Sequence, residues 1–142
     1  MSIERARTDM RWLVLSDHRL NVFKYVGDLN GSTMAKRLRS FFSVNPQAVS
    51  YSSLNDLRQF TGSITYEDMV NMAAMMRSFR TAGVKRKSIL LTRDHAAVYI
   101  ARLAQDIFQT SIEIHAEPEQ AFAAAANGMT LPDIVRRFLE SG

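Results

Sequence analysis

The stretch Leu54-Asn55-Asp56-Leu57-Arg58-Gln59-Phe60-Thr61-Gly62-Ser63-Ile64-Thr65-Tyr66-Glu67-Asp68 decides how the rest of the chain is read. It begins as the end of a buried strand, passes through a polar loop that contains a glycine, and becomes the capped start of a long helix. Thr65 can cap the helix, and Asp68 stands at the third helical position, where a carboxylate answers exposed backbone N–H groups. Glu67 and Asp68 also place negative charge where the helix dipole favours it. Met69, Met72, Ala73, Met76 and Phe79 follow at helical spacing as one apolar stripe, and Gly83 supplies the expected stop. Methionines at this spacing read as core filler before they read as a binding groove.

Outward from this unit the pattern repeats. Towards the N-terminus, Met10–Ser16 and Val22–Val26 are short apolar runs rich in branched and aromatic residues, joined by a polar connection short enough for a hairpin. In the second run Val22, Lys24 and Val26 alternate with Phe23 and Tyr25, so one face is expected to be less fully covered. Asn30 or Ser32 can cap a helix over 33–43, whose stripe is Met34, Leu38, Phe41 and Phe42, and Asn45-Pro46 ends it. A strand over 49–57 then leads back into the opening stretch. Towards the C-terminus, Lys85-Arg86-Lys87 reads as a solvated loop and Ser88–Thr92 as a strand covered on both faces. Asp94 can cap a helix over 96–109 that buries Ala97, Ile100, Ala101, Ala104, Ile107 and Phe108. Ile112–His115 is a short alternating strand. Pro118 opens an alanine-rich helix that stops at Asn127-Gly128, and a last amphipathic helix carries Leu131, Ile134, Val135, Phe138 and Leu139.

Strands alternating with helices imply one α/β domain over residues 1–142: a mostly parallel mixed sheet of about five strands, one antiparallel strand from the N-terminal hairpin, and helices mainly on one face. Residues 1–9 read as a polar tail and 129–142 as an additional C-terminal helix. That helix must cover its apolar stripe on its own domain or on a second copy, which makes a homodimer an expectation.

Composition narrows the function classes. At 142 residues, with 46% hydrophobic and 23% charged residues, the chain suits an ordinary folded domain. It holds no cysteine, so disulfides and thiolate chemistry are excluded, and no run approaches the roughly 18 apolar residues of a membrane span. The first nine residues lack the apolar segment of a signal peptide, so a cytoplasmic location is expected. The net charge of +4 is spread over separated basic triplets, which argues against nucleic acid as the partner.

With these elements placed, the chain resembles the STAS-like domains, the group similar to anti-sigma-factor antagonists. The resemblance runs from about Arg11 to Ala126. It rests on the strand pair ending Val26-Gly27, on Asn55-Asp56-Leu57-Arg58, and on the loop into Ile64-Thr65-Tyr66-Glu67-Asp68. Ile89-Leu90-Leu91, Tyr99-Ile100-Ala101-Arg102 and Pro118-Glu119-Gln120-Ala121 extend it. It implies successive strand–helix units and a small, non-enzymatic regulatory or interaction module. The chain departs from the phosphorylated members in lacking Asp-Ser-x-Gly at the central helix start, where it has Thr61-Gly62-Ser63-Ile64-Thr65. Phosphate on Ser63 or Thr65 would meet a positive helix end already occupied by Glu67 and Asp68, so a helix cap is the favoured reading of Thr65.

Ligands of open α/β sheets bind outside the carboxyl ends of the parallel strands. That rule selects Asp28, Asn55, Asp56, Arg58, Arg93, Asp94 and His95. With Ser63 and Thr65 on the loop and helix from Gln59 to Arg80, the residues Asp56, Arg58, Arg93, Asp94 and His95 make up the candidate ligand or partner surface. Each has a structural alternative: Asp56 with Arg58 as a salt bridge, Asp94 as a cap. Glu113, His115 and Glu117 share one strand face, but a single histidine does not make a metal site, and none is expected. No serine-nucleophile elbow, dinucleotide fingerprint or phosphate loop is present, so no catalytic residue and no cofactor is expected. The leading expectation is a module that binds an unidentified protein partner. The alternative is a domain that binds an apolar or anionic small molecule at the strand ends.

Overall fold

A computed structural model describes residues 9–79 and 86–141. Five strands, β1 (Asp9–Leu15), β2 (Leu20–Gly27), β3 (Ser52–Phe60), β4 (Lys87–Leu91) and β5 (Ser111–His115), lie side by side in chain order. β1 pairs antiparallel with β2, and every later pair is parallel. Parallel neighbours require crossovers. Three helices supply them: α1 (Gly31–Val44) between β2 and β3, α2 (Tyr66–Ser78) between β3 and β4, and α3 (Ala97–Phe108) between β4 and β5. Because each crossover advances the sheet in the same direction, all three pack on one face. The opposite face carries the shorter α4 (Pro118–Ala125) and α5 (Asp133–Glu140).

The local chemistry behaves as the residues dictate. Asn30 accepts from the Thr33 amide at 2.8 Å and starts α1. Thr65 and Asp68 form a reciprocal capping box, each bond 3.0 Å, and α2 begins there. A β-carbon on Gly62 would collide with the Leu29 carbonyl, so only glycine lets the β3–α2 loop lie against the α1 entry.

Several boundaries and faces differ from the sequence reading. The third strand starts at Ser52 rather than Val49, because Pro46–Ser50 forms a 3-10 turn that buries Ala48 and Val49 instead. It also continues to Phe60, so the polar residues Arg58 and Gln59 belong to the strand and the loop is shorter. The second strand is covered on both faces: Lys24 is only 1% exposed, because α5 lies over it. On α3 only Ala97 and Ala101 are fully buried, and Ile100 remains 46% exposed. Asp94 accepts from the Ala96 amide at 2.9 Å and so closes the turn before α3 without capping the helix itself. The stop expected at Gly83 lies outside the described residues.

Two cores result, one on each face. Leu20, Val22, Leu54, Ile89 and Leu91 meet Ala121, Phe122, Val135 and Leu139 on the α4/α5 side. Phe23, Tyr25, Met34, Phe41, Met69 and Met72 meet on the α1–α3 side, where Phe41 sits edge-on to Trp12, Phe23 and Phe42. The apolar stripe of α5 is thus covered in part by this chain's own sheet, through Val135 and Leu139, while Ile134 stays 55% exposed.

Candidate functional site

The carboxyl ends of β3 and β4 open on the α4/α5 side into a polar cleft of about 240 Å³. Asp56, buried and facing α5, holds Arg58 in a bidentate pair, with Nε at 2.9 Å from Oδ1 and Nη2 at 3.0 Å from Oδ2. The Arg58 amide donates to the same Oδ1 at 3.1 Å. This hydrogen-bonded carboxylate pushes the Arg58 pKa further up. Across the cleft Arg93 pairs with Glu117 at 3.1 Å, and Arg136 with Glu119 at 3.0 Å. The hydrogen bond at Glu119's own backbone, and then Arg136, hold the Glu119 carboxyl below its usual range. Three arginines therefore stand among Asp56, Glu117, Glu119 and Glu140, a balance one charge short of neutral on the negative side. The cleft is a set of internal ion pairs, not a cradle for an anion.

Of the residues selected from the sequence, Arg58 and Arg93 meet here, with Asp56 fixing Arg58. Asp94 and His95 lie in the exposed turn before α3 and do not line the cleft. Ser63 bridges to Asn30 along the backbone, and Thr65 is taken up by its capping box. His115 Nε2 lies 3.6 Å from Glu113, and no group of three metal-ligating side chains occurs among the described residues.

The second concavity lies beside the methionine helix, and of the strand-end residues selected from the sequence only Asn55 lines it. Between the sheet and α1–α3 lies an apolar cavity of about 200 Å³. Its walls include Phe23, Leu38, Met72, Met76, Ala104 and Phe108. Its floor comes from the inward residues of the strands: Asn21 and Tyr25 of β2, Ser53 and Asn55 of β3, and Ser88 of β4. Asn55 organises them. Its Oδ1 accepts from the Tyr25 hydroxyl at 3.0 Å, and its Nδ2 lies 3.0 Å from Ser53 Oγ, 3.2 Å from Ser88 Oγ and 3.2 Å from the Ile89 carbonyl. Full burial raises the Tyr25 pKa, so this phenol stays a neutral donor. The signal for this site was present as small polar residues facing the same way on adjacent strands, with Ser53 directly opposite Ser88.

On the far side of the sheet the buried Lys24 donates to the carbonyls of Leu139 and Ser141 at the end of α5. Arg11 reaches the Ser141 hydroxyl at 3.3 Å, and Arg58 the Leu139 carbonyl at 3.4 Å. Three cations thus meet the negative end of α5, a placement the helix dipole favours. Desolvation and then the neighbouring Arg11 hold the Lys24 ammonium below its ordinary pKa.

With both sites placed, the chain can be set beside known proteins. No family model matches the sequence, and no curated protein does. Among solved structures it is similar to an uncharacterized protein of the DUF3478 family from Shewanella loihica PV-4, described as having a SpoIIAA-like fold. The superposition has a TM-score of 0.62 at 11% identity and covers 88% of this chain and 98% of that one. The fold is SpoIIAA-like. The STAS-like resemblance read from the sequence therefore holds at the level of architecture. At this identity the SpoIIAA-like neighbour speaks to fold alone, and function has to be argued from the cavity and the surfaces. No described helix is long and apolar enough to cross a membrane.

Proposed function

We propose that this chain is a non-enzymatic, STAS-like module that holds an apolar small molecule between its sheet and the α1–α3 layer. The cavity carries this reading: it opens partly to the surface, is walled by flexible methionines and aromatic rings, and has one cluster of orienting polar groups. Binding sites of small ligands have this composition. The polar cleft supports ligand binding less well, because its charges already satisfy one another. Among the described residues no acid–base or nucleophile pair lines the cavity.

The test is native mass spectrometry of the purified protein together with thermal denaturation in the presence of small aromatic probes. Occupancy and a rise in Tm are expected, and both should vanish in Ala104→Phe, which fills the space from α3. Probes that leave the Tm of the wild-type protein unchanged across their soluble range would remove the reading.

A second reading, docking of a protein partner on α2, is supported by Tyr66 and Val70, which are exposed one turn apart at the start of the helix. Cross-linking in cells with the native protein and with Tyr66→Asp, Val70→Asp separates it. The same adducts in both would end it.

A further inference from the structure

The apolar cavity is charged at one end only, and this deepens the ligand reading above, on which it rests. Its lining runs along β3 from Leu57 back to Ser53, a length of about 13 Å at the rise of a strand. The inner part, at Tyr25, Met34, Met69 and Met72, is buried. The opening lies at the amino ends of the strands, where Tyr51, Ser53, Ser88 and Thr110 are half-buried and Lys87 is exposed.

Cations stand around that opening. Arg86 and Lys87 line it directly, and Arg86 Nη1 donates to the Val49 carbonyl at 2.7 Å, a neutral partner that leaves the guanidinium its charge. The Arg19 guanidinium lies 5.8 Å from the ring centroid of Tyr51, and Arg77 Nη2 donates to the Ile107 carbonyl at 3.2 Å, beside Phe108 of the lining. Among the described residues no carboxylate pairs with Arg19, Arg77 or Lys87, and no acidic side chain lines the cavity. The carbonyl ends of α2 and α3 point to the same end, but each carries only about half a charge. The strand-end cleft is the opposite case, since each of its arginines meets a carboxylate.

The floor does not choose the charge of an occupant. The Ser53 and Ser88 hydroxyls can rotate to donate or to accept. Asn21 Oδ1, which has no partner among the described residues, lies below the cavity surface and out of a ligand's reach. The cations at the opening do choose. Size sets the rest: a void of about 150 Å³ holds one benzene ring, about 25 Å³ for each carbon, so about 200 Å³ takes roughly eight.

The geometry points to an amphiphile: an elongated apolar body of roughly eight carbon atoms under Met72, Met76 and Phe108, and one carboxylate at the opening beside Arg86 and Lys87. A carboxylate suits the planar fork of a guanidinium, and at a half-exposed rim it keeps part of its hydration, so little is lost by seating it there.

Calorimetric or NMR titration with three eight-carbon probes tests this: octanoate, octanol and octylammonium. At low salt octanoate is expected to bind about three- to tenfold tighter than octanol, and octylammonium more weakly than either. The margin of octanoate over octanol should shrink as salt is raised, because the head sits at a solvent-exposed rim. The double variant Arg86→Gln, Lys87→Gln should lose most of that margin and bind octanol as before, which also reports that the fold and the cavity are intact. Equal binding of octanoate and octanol to the wild-type protein overturns the charged head and leaves the cavity reading standing. Tightest binding of octylammonium overturns its sign. An undiminished octanoate margin in the folded double variant overturns the placement of the head at this end. Failure of all three probes overturns the cavity reading itself.

Discussion

The two faces of one sheet are built in opposite ways. On the α4/α5 side, Ala121, Ala125 and Ala126 let a short helix approach closely, and Phe122, Val135 and Leu139 fill the remaining space. Its buried charged groups, Lys24 and Asp56, are closed off by α5 carbonyls and by Arg58. On the α1–α3 side larger residues leave a chamber, because α2 and α3 bring methionines and the small Ala104 to a floor of serines and asparagine. Alternate residues of the same strands serve both: Leu20, Val22 and Lys24 on one side, Asn21, Phe23 and Tyr25 on the other. The difference teaches that burial is not the same as close packing, and that a chain can place firmness and room a strand's thickness apart.

The largest effect expected from this contrast is on the firm face. Phe122→Ala should cost about 3–5 kcal/mol in urea unfolding, because the surroundings cannot collapse around the void. A loss under about 1 kcal/mol would show that this face is not tightly packed. Asp56→Ala removes the partner of Arg58 and leaves Lys24 facing other cations; about 2–3 kcal/mol is expected from the stranded groups. The sharpest comparison uses one substitution type on both faces. Ala121→Leu should destabilise by about 1–3 kcal/mol through overpacking, whereas Ala104→Leu enters the chamber and should stabilise by about 1 kcal/mol. Two losses of equal size would erase the distinction.

The smallest effect is the pH dependence, which should differ in sign between the faces. Lys24 has its folded pKa below the ordinary 10.5, so the unfolded chain binds more protons there, and stability rises with pH through that window. Tyr25 has its folded pKa raised above the ordinary 10.0 by burial, so the unfolded chain loses its proton first, and stability falls as pH rises past that value. Urea midpoints between about pH 8 and 11 should therefore lose their rising component in Lys24→Met and their falling component in Tyr25→Phe. Identical profiles for the two variants would contradict the assignment of the groups to opposite environments.

The architecture was legible because its signals are local. Thr65 with Asp68, Asn30, Pro46 and Pro118 mark helix ends within a few residues of themselves, and β1–β2 announces its hairpin by alternation. Lys24 was misread as facing a less covered side because alternation reports polarity, not what a helix more than a hundred residues later lays over it. Ile100 was misread as core because helical spacing gives the direction of a stripe but not how closely the next helix approaches it. Among the candidate residues, Asp56 with Arg58 was legible as a pair two residues apart on one strand face. Their meeting with Arg93 and Arg136 depends on the carboxyl ends of two strands and the start of α5 arriving together.

The residues alone determined the strand–helix alternation, the caps, the parallel order and hence a STAS-like architecture, since each depends on backbone preferences and short spacings. Only the tertiary structure decided that Asn55 gathers Tyr25, Ser53 and Ser88, that α1–α3 leave about 200 Å³ above them, and that each arginine of the strand-end cleft meets a carboxylate there. Cavities and ion-pair networks are set by how far apart packed elements come to rest. That distance is a sum over many side chains distant in sequence, which no local pattern carries.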